Sequence, residues 1–510
     1  MFLEKILDEI GSLSIKKNKK IYLVGGFLRD MYLGYPGRDL DFAVSGNAMN
    51  LAQDISEILN GVYIPLDRIN RVARVVLEPR GEKWQIDFSS FKGLSIEEDL
   101  SHRDFTINAM ALELPAYLKL SKESGTPAGK RPERWLWPEV LIDPYGGLTD
   151  MENKTIRAIN NYVFEADPIR ILRGVRLAGK LGFKIKPDTL NLMEQGRWLL
   201  QEIAGERIWE ELLGILALPQ SYPWITVLDS TGALSEIFPI EEIMKVTGKN
   251  LHTDSVRAHS LKTYKLLEEI CSDPSGNIIP AGSRSGEIQK LLLKHLDQGL
   301  TSERKRNQLI KLAALFHDPG KVVTAMVLED GQVAFPNQSG AGPAYVSEFA
   351  RRLKMSKVEE SYLKNLAGNH MYPLSLYQNQ PVGPADIYRF FNILGKDVPD
   401  VLLLSLANFT VTCADDESTF DLAGYRAFIG DLLNKYYFEA EIYVRPPTLV
   451  KGEDLMIELG LPPSKKLGEL LEKITEAQVR GEVTSRDGAI AYAGRLFISD
   501  HNPTQKKPRC

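Results

Sequence analysis

Three cysteines in 510 residues cannot build a disulfide framework. Cys271, Cys413 and Cys510 are odd in number and far apart. They offer no thiolate metal site and point to a reducing, cytoplasmic setting. Histidine is also scarce, at seven residues. No apolar run reaches the roughly 18 residues a membrane-spanning helix needs, so no membrane partner is expected. The first twenty residues, MFLEKILDEIGSLSIKKNKK, are acidic before they are basic, which is not the order of a secretory signal. Low-complexity tracts and internal repeats are missing. So is an excess of positive charge: the net charge is −5. Bulk charge therefore does not advertise nucleic-acid binding, although a local basic surface stays open. Hydrophobic content of 44% and charged content of 25% are those of ordinary globular protein. The length predicts three or four domains at roughly 100–200 residues each.

What is present is concentrated between Ile21 and Gly46, IYLVGGFLRDMYLGYPGRDLDFAVSG. Ile21 to Val24 is β-prone and Gly25-Gly26 interrupts it. Phe27 to Leu33 suits a short helix that Gly34 and Pro36 end. Asp39-Leu40-Asp41 opens a second strand. Carboxylates two residues apart on a strand share a face, so Asp39 and Asp41 can hold two divalent cations. The glycine turn admits a phosphate close to the backbone, and the helix after it offers N–H groups. Arg29 adds a planar cationic fork. A phosphate cradle beside a carboxylate pair suggests metal-assisted chemistry on a nucleoside triphosphate. The plainer alternative is a glycine turn followed by exposed aspartates.

Four further clusters stand out. Asp87 in QIDF is a carboxylate in an apolar β-like run; it completes the metal site if its strand lies beside Asp39 and Asp41, and is otherwise an edge aspartate. In RDFTINAMA, Arg103 can meet phosphate, Asp104 can accept from a ribose hydroxyl, and Asn108 can do either. Alone, that segment reads as a helix start capped by Asp104. Asp167 and Arg170 are spaced i, i+3, which puts them on one face of a helix. Asp accepts from an amino group and Arg donates to a ring nitrogen, a pattern that suits cytosine and adenine and rejects uracil and guanine. An intrahelical ion pair is the simpler reading. Last, His252, Asp254, His259, His317, Asp318 and His370 gather much of the scarce histidine in one helical region. They are either metal ligands for phosphoester hydrolysis or structural histidines.

Phe2, Ile6, Ile10 and Leu13 predict an entry helix, and the lysine-rich run 16–20 a solvated turn. Ala48–Leu59 reads as a helix and Gly61–Pro65, Ala73–Leu77 and Trp84–Phe88 as strands, an α+β arrangement. Residues 114–140 are rich in Pro and Gly and read as a loop. Lys130, Arg131 and Arg134 beside Trp135 and Trp137 either grip single-stranded nucleic acid or simply pin that loop. From about residue 151 the chain reads as helical.

These residues together resemble the class II tRNA nucleotidyltransferases and bacterial poly(A) polymerases, of the polymerase-beta-like superfamily. Residues 25–46 match the catalytic motif. HRDFTINAMAL matches the ribose-binding motif, with His102 where a second arginine is usual. IDPYGGLTDMENKTIRAI matches the hinge-like motif, EADPIRILRGVRLAGKLGF the base-reading motif, and GERIWEELLGIL the neck motif. HTDSVRAHS, ALFHDPGK and 446–497 resemble an HD phosphohydrolase domain and tail. The resemblance implies an α+β head (1–155), a helical neck binding base and RNA (156–245), an HD-like helical body (246–435) and a helical tail (436–510).

By the same resemblance, Asp39 and Asp41 bind catalytic Mg²⁺, with Asp87 as a further ligand. Gly25, Gly26, Arg29, Arg103, Asp104, Asn108, Asp167, Arg170, Arg173 and Arg176 bind the nucleotide. His259, His317, Asp318 and His370 form a second divalent-metal site. The implied activity is template-independent addition of CMP from CTP, AMP from ATP, or both, to a tRNA 3′ end. The rivals are a poly(A) polymerase acting on general RNA and an HD phosphohydrolase with a nucleotide-binding head. There are departures. Ala166 stands where an acidic residue is usual, with Glu165 displaced by one. The 114–140 insertion is long. Asn408 replaces the final HD aspartate, removing an anionic ligand.

Overall fold

The computed structural model describes residues 2–35, 37–124, 140–238, 253–273, 284–301, 304–317, 326–327, 333–334, 338–415 and 421–501. By its contacts the chain divides into two compact units, residues 1–215 with 224–237, and residues 216–223 with 238–510. The four-part division expected from the sequence is finer than this.

The first unit is built on a seven-stranded sheet. Its strands are β1 (Ile21–Val24), β2 (Asp39–Val44), β3 (Val62–Asp67), β4 (Val72–Leu77), β5 (Trp84–Ser90), β6 (Ala111–Glu113) and β7 (Leu141–Ile142), in the order β3-β4-β5-β2-β1-β6-β7. All pairings are antiparallel except β2 with β5. That parallel register sets Asp41 opposite Asp87. The next pair along, Phe42 and Phe88, stacks with ring centroids 5.4 Å apart in the core beneath. The edge strand β3 is mostly exposed and carries Pro65 at a break in register. A proline without an N–H suits a strand with a free edge.

Helix α1 (Phe2–Lys16) buries Ile6, Leu7, Ile10 and Leu13, one stripe at helical spacing. Helix α2 (Gly25–Leu33) ends at Gly34, whose φ of +85° lets the chain turn back on itself. Helices α3 (Ala48–Ile58) and α4 (Ile96–Ser101) follow, capped by Asn47 and Ser95. Helix α5 (Leu114–Ser124) corrects the expected loop at 114–140: its first eleven residues are helical. Pro115 falls in the first turn, where its missing N–H costs nothing. Lys130, Arg131, Arg134, Trp135 and Trp137 lie outside the described residues. The helix Arg170–Leu181 buries Ile171, Leu172, Val175 and Ala178 and leaves its arginines on the opposite side.

Among its described residues the second unit is helical apart from two short strands, Met326–Val327 and Val333–Ala334. Its central helix, Val398–Asp415, buries Val401, Leu402, Leu403, Leu404, Leu406 and Ala407, with Asp400, Ser405 and Asn408 as buried polar residues among them. Pro384–Ala414 is long and apolar enough to resemble a membrane span, but most of its apolar window is buried within the protein. The tail helices Gly452–Leu459, Lys465–Val479 and Arg486–His501 share a small core around Leu455, Ile474 and Ala489. Arg306, almost fully buried, donates to Asp397 at 2.9 Å and Asp400 at 2.6 Å. Tyr362 and His295 also reach Asp400, at 2.8 and 2.7 Å. A buried charge cluster of this kind tolerates no missing member. Arg306→Ala is expected to destabilise the second unit by about 3–5 kcal/mol. A urea titration followed by circular dichroism reads this as an earlier midpoint for that unit.

Candidate active site

A single pocket in the first unit collects most of the expected nucleotide residues. Gly25, Gly26, Asp41, Arg103, Asp104, Asn108, Asp167, Arg170 and Arg173 all line it. The strand-turn-helix of β1 and α2 forms one wall. Gly25 has φ +69°, and a Cβ there would stand 2.9 Å from Asp41 Oδ2 and 3.2 Å from Arg103 Nη1. Both the backbone angle and the crowding require glycine. Asp41 is partly buried on β2. Burial raises its pKa and the neighbouring Asp87 raises it further. Arg103, Arg173 and the Gly26 N–H act against that shift. Asp39, two residues earlier, is exposed.

Asp87 stands beside Asp41 on β5, as the sequence suggested, but Arg74 occupies both its oxygens at 2.7 and 2.8 Å. Among the described residues no group of three or more His, Cys, Asp or Glu side chains is placed to hold a metal ion. Arg29 is buried behind the pocket rather than lining it. It donates to Asp30 and, at 2.7 Å, to Asn108 Oδ1. Asn108 in turn donates to Asp104 Oδ1 at 2.9 Å, and Arg173 reaches Asp104 Oδ2 at 2.8 Å. Asp104 therefore does not cap a helix. It is the centre of a relay running from Arg29 to Arg173. Arg176 faces away and pairs with Glu211.

Asp167 and Arg170 do not share a helix, which corrects the spacing argument. Asp167 is extended, with φ −157° and ψ 99°, and Arg170 begins the next helix. Pro168 is the cause, because the residue before a proline is pushed out of the α region. The two side chains also have other partners. Arg207 donates to Asp167 Oδ2 at 2.8 Å. Arg170 donates to the carbonyls of His102 at 2.8 Å, Arg103 at 3.2 Å and Val163 at 3.3 Å. Those bonds tie the start of the Arg170–Leu181 helix to the segment that carries Arg103 and Asp104.

Three residues here were not singled out from the sequence. Asp99 on α4 accepts from Arg103 Nη2 and from the Lys92 backbone N–H, each at 3.0 Å, and so aims Arg103 into the pocket. Its signal was present, as an acid four residues before an arginine. Lys92 lines the pocket from the turn after β5. Arg207 is 40 positions from its partner and leaves no local trace. In the second unit, His259, His317 and His370 do come together, around Asn408. Asp318, His252 and the Asp254 side chain lie outside the described residues.

Residues 21–157 match the family model described as the poly A polymerase head domain, and 182–243 match the probable RNA and SrmB-binding site of polymerase A. Over these segments the chain is similar to the tRNA nucleotidyltransferases and poly(A) polymerases. A CC-adding tRNA nucleotidyltransferase of Geobacter sulfurreducens is 28% identical over 486 residues, 94% of this chain and 93% of the relative. An A-adding tRNA nucleotidyltransferase of Deinococcus radiodurans is 27% identical over 93% of this chain and 94% of its own length. The fold is that of the Thermotoga maritima CCA-adding enzyme solved with tRNA, at a TM-score of 0.59, 19% identity, and coverage of 97% of this chain and 95% of that one.

Within this site, Gly25→Ala is expected to strain the turn and push on Asp41. Isothermal titration with CTP or ATP should show affinity lowered by about tenfold or more, the equivalent of roughly 1.4 kcal/mol.

Proposed function

We propose that this protein is a template-independent tRNA nucleotidyltransferase that adds CMP, AMP or both to the tRNA 3′ end. One observation carries the reading: a single pocket brings the Gly25 turn and Asp41 together with Arg103, Asp104, Asp167 and Arg170. Relatives named for CC and A addition extend over more than nine-tenths of the chain, which supports the tRNA 3′ end as acceptor. Cys271 and Cys413, neither of them in a disulfide, suit a cytoplasmic setting.

The carboxylates fit divalent cations, Mg²⁺ foremost. Asp39 and Asp41 share one face of β2, and Asp41 carries a charge that burial disfavours until a cation compensates it. These two residues would hold the ions. Asp87 is held by Arg74, and no third acid joins the pair among the described residues, so phosphate oxygens and water would complete the coordination. When bound, the ions acidify the RNA 3′-hydroxyl and offset charge on the α-phosphate as pyrophosphate leaves.

The remaining roles belong to the chain itself. The Gly25 turn lets the triphosphate approach the backbone. Arg103, oriented by Asp99, and Lys92 offset its charge. Arg29 acts at one remove, holding Asn108 and through it Asp104 against the sugar. Asp167, braced by Arg207, accepts from the exocyclic amino group of C or A. Arg170, braced by backbone carbonyls, donates to the adjacent ring nitrogen.

Transcripts ending before, within and after CC, incubated with CTP or ATP singly and together, test this. Addition that stops within three nucleotides supports the reading. A long ladder with ATP alone makes the protein a poly(A) polymerase, and no extension of any transcript refutes both. Asp41→Asn adds a pH-linked expectation. Ionising Asp41 costs more in the folded chain than in the unfolded one. Metal-free stability is therefore full below the ordinary carboxylate range and falls as pH rises through the raised pKa. The amide removes that cost. Melting of metal-free protein at pH 7 should rise by about 2–4 °C for each ~1 kcal/mol relieved, while transfer is lost.

A further inference from the structure

Three imidazoles gather in the second unit, and two of them meet one carboxamide. His259 lies on the helix Thr253–Ser272, His317 follows Arg306–Leu315, and His370 caps Lys357–Asn369. Asn408 lies on the core helix Val398–Asp415. The rings of His259 and His317 are 5.4 Å apart at their centroids, and those of His317 and His370 are 5.2 Å apart. His317, His370 and Asn408 are all buried.

Hydrogen bonds define which nitrogens carry protons. His317 Nδ1 lies 2.9 Å from the Ala314 carbonyl, and His370 Nδ1 lies 3.0 Å from the Ala367 carbonyl. A carbonyl only accepts, so each Nδ1 is the donor and each neutral ring keeps its lone pair on Nε2. That is the tautomer metal-ligating histidines use, with Nδ1–H anchored on a backbone carbonyl. The Asn408 side chain faces the Nε2 atoms of His259 at 2.8 Å and of His317 at 3.2 Å. The recorded atom there is Oδ1, but the two ends of a carboxamide have the same shape, and the His317 Nε2 lone pair selects the NH₂ end. The contact given up in that orientation, to the Met371 sulfur at 3.5 Å, is weak.

The arrangement does not fit a metal ion. A cation ligated by these rings needs bonds of about 2.0–2.1 Å to nitrogen. The amide sits where such an ion would lie, and it brings no negative charge. We propose that this cluster is a metal site closed by Asn408: its amide replaces the ion, the wild-type chain holds no divalent cation on these histidines, and it carries out no metal-dependent phosphoester hydrolysis there. A carboxylate at position 408 is the one change that opens the site. The inference is independent of the nucleotide-transfer reading.

Full-length protein stripped with EDTA and equilibrated with Ni²⁺ tests this, with bound metal counted by atomic absorption. Nickel binds imidazole tightly, which makes absence of binding informative. Every arm carries Asp39→Ala and Asp41→Ala so that the first unit does not contribute. The expected result is no histidine-dependent nickel in that background, about one equivalent after Asn408→Asp, and its loss again when His317→Ala is added. Two results overturn the proposal: nickel bound without any change at 408 that His317→Ala removes, or a cooperatively melting Asn408→Asp protein that binds none. The arm with native Asn408 decides even where the buried carboxylate prevents folding.

Discussion

Asp41 is a carboxylate kept against its own desolvation cost. It lies at the junction of β1, β2 and β5, with a like charge next door on Asp87. Much of the first unit is arranged to make that position tolerable. Arg74 takes Asp87 in a two-pronged ion pair, so one of the two acids is already neutralised. Arg103 and Arg173 approach from the pocket side, and the Gly26 N–H donates from the turn. Gly25 clears the space, since any side chain there would strike the Asp41 carboxylate. The compensation stops short of a full ion pair. An acid paired as tightly as Asp87 would have nothing left for a cation.

The same economy runs through the rest of the pocket. Several proposed contact residues are held in place by a second side chain. Asp99 aims Arg103, Arg29 holds Asn108, and Arg207 braces Asp167. Preorganised charge acts strongly because no reorientation is needed when the ligand arrives. It also explains why Arg170 spends its donors on carbonyls of His102 and Arg103. Those bonds join the two segments proposed to read sugar and base. A base that pairs with Asp167 and Arg170 is thereby set in register with the phosphates.

The local parts of this design were legible in the sequence. β1, the glycine turn, α2 and β2 follow from propensity and punctuation, and Gly34 ends α2 as expected. Compositional reading failed at α5, where Pro115 and the glycines beyond it outweighed the helix-forming run they flank. At Asp167 the i, i+3 spacing was given more weight than Pro168, whose effect on its predecessor is the stronger constraint. The supporting residues were mostly out of reach. Arg29 and Asn108 are 79 positions apart, and Arg207 and Asp167 are 40 apart. Only the tertiary fold creates those pairs. Asp99 is the exception, since its partner lies one helical turn away.

The two units also show opposite outcomes of one constraint. Gathering electron-pair donors in a partly dry site is costly unless something positive or protic fills the centre. Around Asp41 the arginines offset the charge only in part, and the residual demand for positive charge is what a divalent cation would meet. Around His317 the demand is met internally. The Asn408 amide lies within hydrogen-bond reach of the Nε2 atoms of His259 and His317, where an ion would otherwise be needed. The choice between them turns on one atom of side-chain chemistry, carboxylate oxygen or amide nitrogen. A chain proposed to need a cation in the first unit and only packing in the second keeps acid at 41, at a cost in stability, and amide at 408.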